Sequence, residues 1–102
     1  MKKYLFIDDI REPDYFVGIN CYVARSYEEA IELLKTEHFN YISFDHDLAE
    51  EKTGYDIAKY IVENQIPITD GYKVHSANPV GKFNIEQLLS HYGYTKVNYL
   101  VK

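Results

Sequence analysis

A chain of 102 residues, 46% of them hydrophobic, fits a single domain spanning 1–102 with one modest core and excludes a disordered tail. Its formal charge of −5, with no basic run of Lys or Arg, argues against a protein that grips extended duplex nucleic acid through phosphates, yet leaves room for a small phosphorylated ligand held by one or two cations. A lone cysteine, Cys21, supplies neither a disulfide framework nor a Cys-rich zinc site, so a reducing cytoplasm is expected; no apolar run is long enough for a leader h-region or a membrane span.

The first apolar run, YLFI (4–7), is of the buried-strand kind. DDIREPDYFVGIN (8–20) carries charges, Pro13 and Gly18 and reads as a loop. CYVA (21–24) is a second strand, and Cys21 within it reads as a buried, inert thiol. Ser26 and Glu29 have capping-box spacing ahead of a helical face made by Tyr27, Ala30, Ile31 and Leu34. YISF (41–44) is a third strand. Thr53 and Asp56 form a second capping-box pattern, followed by Ile57, Ala58, Ile61 and Val62 at helical spacing up to Pro67. YKV (72–74) is a short fourth strand. Pro79 suits an early helix position, Ile85, Leu88, Leu89 and Tyr92 make the apolar face, and Gly93 is the stop. KVNYLV (96–101) is a last strand or a covering segment.

Strands alternating with amphipathic helices predict an α/β three-layer sandwich with helices on both faces. The sheet is mainly parallel, in order 2-1-3-4 with room for a fifth strand. The first crossover is the exception, being a loop where a helix would be expected.

In open parallel sheets, ligands bind at the carboxyl ends of the strands. Here YLFI runs into Asp8-Asp9, YISF into Asp45-His46-Asp47 and YKV into His75-Ser76. Four carboxylates at one edge repel one another and call for a cation. A hard divalent ion such as Mg²⁺ or Mn²⁺ accepts carboxylate oxygens and leaves room for a phosphate, so Asp8, Asp9, Asp45 and Asp47 are candidate ligands. Imidazoles beside them admit Zn²⁺ or Fe²⁺ as well. Alternatively, His46 and His75 form an acid/base pair for phosphoester hydrolysis, working with Asp45. Arg11 is positioned to clamp a phosphate or to pair with the acids. Ser76, Asn78 and Lys82 stand near a helix start where an anion can be cradled, although Asn78 also has the simpler reading of a helix cap. His38 and His91 read as structural.

The acid pair after the first strand, Asp45 after the third and Ser76 after the fourth resemble the receiver domain of bacterial two-component signalling. That resemblance implies a metal at Asp8 and Asp9, a phosphoacceptor at Asp45, a hydroxyl switch at Ser76, and Lys102 as the partner lysine. LFIDDIREP, ISFDHDLAEEKTGYDIAKYI and HSANPVGKFNIEQLL resemble, more closely, a receiver-derived family, the cyclic-phosphate processing receiver-like domains. Where that pattern has Gly after DHDL, this chain has Ala49. The closer resemblance implies a cytoplasmic protein of bacteria or phage-infected cells that takes a cyclic nucleotide or a cyclic-phosphate RNA end, without a membrane partner. It implies a metal-assisted cyclic phosphodiesterase or a module that binds such a phosphate without cleaving it. A phosphorylated signalling receiver is the third reading, and His46 with His75 weigh against it.

Overall fold

In the computed structural model, residues 1–13 and 19–97 are described. Strands β1 (Lys2–Ile7), β2 (Ile19–Ala24), β3 (Phe39–Phe44) and β4 (Ile68–Val74) alternate after β2 with helices α1 (Tyr27–Thr36), α2 (Gly54–Glu63) and α3 (Pro79–His91). All strand pairs are parallel, and the order β2-β1-β3-β4 is the expected one. No helix among the described residues bridges β1 to β2.

The helices begin where their capping residues predict. The Ser26 hydroxyl accepts from the Glu29 N–H at 3.2 Å, while the Glu29 carboxylate reaches one residue further back and accepts from the Arg25 N–H at 2.7 Å. Thr53 and Asp56 close a full capping box. Asn78 accepts from the Gly81 N–H at 3.0 Å with Pro79 in the first turn, and Gly93 ends the region at φ +90°.

β4 begins four residues earlier than its apolar run suggests. Asp70 and Gly71 hide the strand in the sequence, and Gly71 is there for close approach: a Cβ on it would lie 2.7 Å from Val97 Cγ1. The chain at 95–97 pairs against this stretch. The Tyr72 N–H donates to Thr95 O and the Val97 N–H donates to Tyr72 O, both at 2.8 Å, which is the start of the expected fifth strand. Its remainder, 98–101, lies outside the described residues.

Leu5, Ile7, Ile42, Phe44, Tyr72 and Val74 point to one face and share a single core with Ala30, Ile31 and Leu34 of α1, Ile57, Ala58 and Ile61 of α2, and Ile85 and Leu89 of α3. All three helices therefore cover the same face. Helices on both faces were expected; the described residues place none on the other, where Tyr4, Phe6 and Tyr41 form a second small cluster with Val23. Cys21 is a correction: it lies on edge strand β2 and is exposed. No helix among the described residues is long and apolar enough to cross a membrane.

Candidate functional site

The residue following each of β1, β3 and β4 continues the sheet ladder by one step. Asp8 N–H donates to Ala24 O at 3.1 Å, Asp45 N–H to Ile7 O at 2.9 Å, and His75 N–H to Phe44 O at 2.9 Å. Asp8, Asp45 and His75 thus stand side by side on neighbouring strands at the carboxyl edge. By the two-residue pleat they fall on the same face as Phe6 and Ser43, opposite the helices. One ligand atom from each lies within 4.8 Å of the others.

Asp8 is 1% exposed and fully engaged. Oδ1 accepts from the N–H groups of Ile10 at 2.9 Å and Arg11 at 2.8 Å, and Oδ2 faces His75 Nε2 at 3.0 Å. Burial opposes its ionisation, but those donors outweigh burial and hold the carboxyl below the usual carboxylate range. An ionised Asp8 only accepts, so His75 carries its proton on Nε2. Its Nδ1 then accepts from the Ser43 hydroxyl at 2.6 Å. The His75 ring also stacks on Phe6, with centroids 4.6 Å apart and planes 4° apart. Burial pushes the imidazole below its ordinary value despite the neighbouring Asp8 and Asp45, which leaves it neutral at pH 7.

Asp45 goes the opposite way. Burial, then the charge of Asp8, push its carboxyl up, against His75, a hydrogen bond from the Ser76 hydroxyl and the His46 N–H. Two buried carboxylates, one of them pushed toward protonation by burial and by the other, with an imidazole in reach, form a donor set that suits a divalent cation. Asp45, Asp8 and His75 would hold it, and the ion would supply positive charge for a phosphate oxygen.

The sign of the Asp45 shift gives a test. An acid whose pKa rises on folding costs stability once pH climbs above its unfolded value near 4. Asp45→Asn removes that cost. In metal-free protein at pH 7 the variant should melt above the native chain, and the gap should close as pH falls below about 4. Saturating Mn²⁺ should reverse the order. A variant that melts lower at pH 7 without metal would show that Asp45 is well satisfied as an anion.

Other expected residues gather around this centre or stand apart from it. Arg11 lies over it, donating to His75 O at 3.1 Å, with Nε 3.9 Å from Asp8 Oδ2 and the side chain about half exposed. Asp9 does not join the metal group: the turn closed by Asp8 carries it half-buried past the centre. Asp47 does not join it either, because it turns to His46 Nδ1 at 2.9 Å and to Asn78 Nδ2 at 3.4 Å. That contact with His46 holds the Asp47 carboxyl below its ordinary value. No partner of His46 Nε2 is found among the described residues, and the His46 ring packs over Gly81 of α3. The Ser76 hydroxyl accepts from the Asn78 N–H at 3.0 Å while serving Asp45, and Asn78 is the α3 cap. Lys82 is exposed and lines a separate depression of about 110 Å³ with Lys73, Glu86 and Lys96. Lys102 lies outside the described residues. His38 and His91 sit away from this edge, against Thr69 and the Tyr92 ring.

Three contributors were not singled out in the sequence. Ser43 is two residues before Asp45 and therefore on its face, a signal that strand alternation contains. Phe6 stands in the same relation to Asp8. Arg25 directly follows β2, so the same strand-end rule points to it. Its guanidinium donates to Asp8 O at 3.2 Å, Arg11 O at 2.5 Å and Glu12 Oε2 at 2.6 Å, and so fixes the turn that carries Asp8 and Arg11.

A family profile described as the cyclic-phosphate processing receiver domain matches residues 3–91. Among solved structures, the receiver domain of the Francisella response regulator 1452 is similar at 21% identity and TM-score 0.68, covering 100% of this chain and 84% of that one. A CheY-like receiver domain protein from Methanospirillum hungatei is similar at 16% identity and TM-score 0.69, covering 98% and 84%. The response regulator TrrA of Thermotoga maritima, solved in complex with Mg²⁺ and BeF, is similar at 15% identity and TM-score 0.65, covering 98% and 89%. At these identities the likeness establishes the fold. No curated protein sequence matches.

Proposed function

We propose, on the premise that this chain belongs to the cyclic-phosphate processing receiver domain family, that its carboxyl edge binds a cyclic phosphate beside a divalent cation and opens the ring by hydrolysis. The observation that carries this reading is the buried group of Asp8, Asp45 and His75 with the half-exposed Arg11 lying over it. Asp8, Asp45 and His75 hold the ion, with Mg²⁺, Mn²⁺ or Zn²⁺ as candidates. Among the described residues, Arg11 is the strand-edge cation free enough to turn its remaining N–H groups to phosphate oxygens.

His46 is the proton carrier in this proposal. Asp47 orients it through Nδ1, and Nε2 is left to take a proton from the attacking water. The water oxygen bonds to phosphorus, one ring P–O bond breaks, and the departing alkoxide oxygen is protonated from solvent. His75 was expected to share this work. With Nε2 on Asp8 and Nδ1 on Ser43 it serves better as a ligand and spacer. The substrate is a cyclic nucleotide or a cyclic-phosphate RNA end, and a bacterial cytoplasm suits it.

The test is a screen of 2′,3′- and 3′,5′-cyclic mononucleotides, cyclic dinucleotides and RNA carrying a 2′,3′-cyclic end. It is run with each metal and reads binding and product together. Ring opening of one class, dependent on metal and lost in Arg11→Ala, is expected. Tight binding without product would make the domain a cyclic-phosphate receptor, and no binding of any class would remove the reading.

A further inference from the structure

The His75 ring is restrained on three sides. Phe6 stacks on its face at 4.6 Å and 4°, Ser43 holds Nδ1 at 2.6 Å, and Nε2 points at Asp8 Oδ2 at 3.0 Å. Ser43 and Asp8 are each 1% exposed, so neither partner is a solvated side chain that merely came to rest there. Rotating the ring out of this slot would forfeit the stacking and both hydrogen bonds. Nε2 is therefore fixed toward the two buried carboxylates whether or not an ion is bound.

Such a nitrogen has no place in a site built for a hard ion. Mg²⁺ prefers an all-oxygen shell and keeps several waters, whereas Mn²⁺, Fe²⁺, Co²⁺ and Zn²⁺ accept imidazole readily. A ligating imidazole also needs somewhere to put its other N–H, and a buried acceptor at that position sets both tautomer and orientation. The Ser43 hydroxyl, which donates to Nδ1 in this structure, has an oxygen placed to become that acceptor.

We propose that His75 ligates a transition-metal ion through Nε2, and that Ser43 makes this possible by accepting the proton that moves to Nδ1. Without metal, Nε2–H donates to Asp8 and Nδ1 accepts from the Ser43 hydroxyl. With metal, the Nε2 lone pair goes to the ion, Nδ1–H donates to Ser43 Oγ, and the hydroxyl hydrogen turns away. The imidazole stays neutral throughout, so the exchange is of tautomers and no net proton leaves the ring. Asp8 gives up its bond to His75 but keeps those from the Ile10 and Arg11 N–H groups, which leaves Oδ2 for the same ion. The inference rests on the reading that this edge holds a divalent cation and specifies which kind.

The experiment uses the full chain and the metal alone. In ¹⁵N-labelled native protein, long-range ¹H–¹⁵N correlations of the His75 ring should show the proton on Nε2 without metal and on Nδ1 after one equivalent of Zn²⁺. Calorimetry should give Zn²⁺ and Co²⁺ affinities at least 100-fold above that of Mg²⁺, and Co²⁺ should show visible bands altered in His75→Gln. Ser43→Ala should weaken Zn²⁺ about 10- to 100-fold and leave the much weaker Mg²⁺ binding unchanged. The native-protein spectrum keeps the test valid if either variant folds poorly. An unchanged tautomer with Zn²⁺, or Mg²⁺ bound as tightly as Zn²⁺, overturns the inference and leaves a receiver-like acidic metal site standing. Absence of binding by any ion at millimolar concentration overturns both. A tautomer exchange in a protein that opens no cyclic phosphate keeps the inference and removes the hydrolytic reading.

Discussion

Gly54→Ala should destabilise the chain by about 3 kcal/mol, at the upper end of overpacking penalties. Gly54 opens α2, and its N–H donates to His46 O at 2.8 Å. A Cβ there would fall 2.0 Å from Asp45 O, 3.0 Å from Asp45 C and 3.2 Å from His46 Cα. Every one of those atoms is backbone, so no side chain can swing aside. Either α2 or the strand-end segment carrying Asp45 must move. The helix propensity of Ala opposes this by about 1 kcal/mol and is the smaller effect. Urea unfolding reads the difference directly, and the loss should appear in the midpoint with the slope unchanged. Metal affinity should fall as well, since the displaced segment is the one that positions Asp45. A Gly54→Ala protein as stable as the native chain would mean that α2 does not begin against the end of β3.

Gly81 provides the contrast. A Cβ there would lie 2.3 Å from His46 Cγ, with Cδ2 and Nδ1 next nearest. These are side-chain atoms, so the ring can be pushed off α3 at lower cost than a backbone shift. The expected loss is about 1–2 kcal/mol, and most of it should disappear when Gly81→Ala is combined with His46→Ala. Non-additivity of that kind reports a direct contact. The two glycines show why the stretch that begins DHDL folds as it does. One lets α2 close on the backbone of Asp45, and the other gives the His46 ring a seat on α3.

Chain order alone was enough to bring Asp8, Asp45 and His75 to one edge, because parallel strands joined by right-handed crossovers present all their carboxyl ends together. It was not enough to separate Asp8 from Asp9, or Asp45 from Asp47. Adjacent acids look alike in sequence, and the choice is made by the pleat and by the turn the first acid closes. Ser43 and Phe6 were hidden for a related reason: within an apolar run, a serine and a phenylalanine read as core until the strand register sets them beneath a histidine. That the described helices all lie on one face was not legible, since an apolar alternation reports that a face is covered and not by what. Ala49 is instructive in a different way. Its φ of 55° puts it in the left-handed region that glycine takes freely, so the turn is kept and the chain carries a cost of about 1–2 kcal/mol.

His46→Ala should lower turnover of a cyclic phosphate by about 10²–10⁴-fold, the range expected when a positioned proton carrier is removed. The argument turns on which imidazole has a nitrogen to spare. His75 has none: Nδ1 is held by Ser43 and Nε2 by Asp8. His46 has Nδ1 on Asp47 at 2.9 Å and no partner for Nε2 among the described residues. A carboxylate on one nitrogen fixes the tautomer and the ring plane, and it stabilises the imidazolium that forms when the other nitrogen accepts a proton. The loss should therefore fall on kcat, with KM nearly unchanged, because in the proposed site the phosphate is bound by Arg11 and the ion, without His46. Asp47→Asn should give a smaller loss in the same parameter. His75→Ala should lose activity together with metal affinity, which excess metal partly restores, whereas no concentration of metal should rescue His46→Ala. His38→Ala and His91→Ala, whose rings face Thr69 and Tyr92, should turn over at the native rate. Native turnover in His46→Ala at saturating metal would assign the proton transfer to solvent. The His46–Asp47–Asn78 chain would then be only the clasp that holds the β3 end against α3.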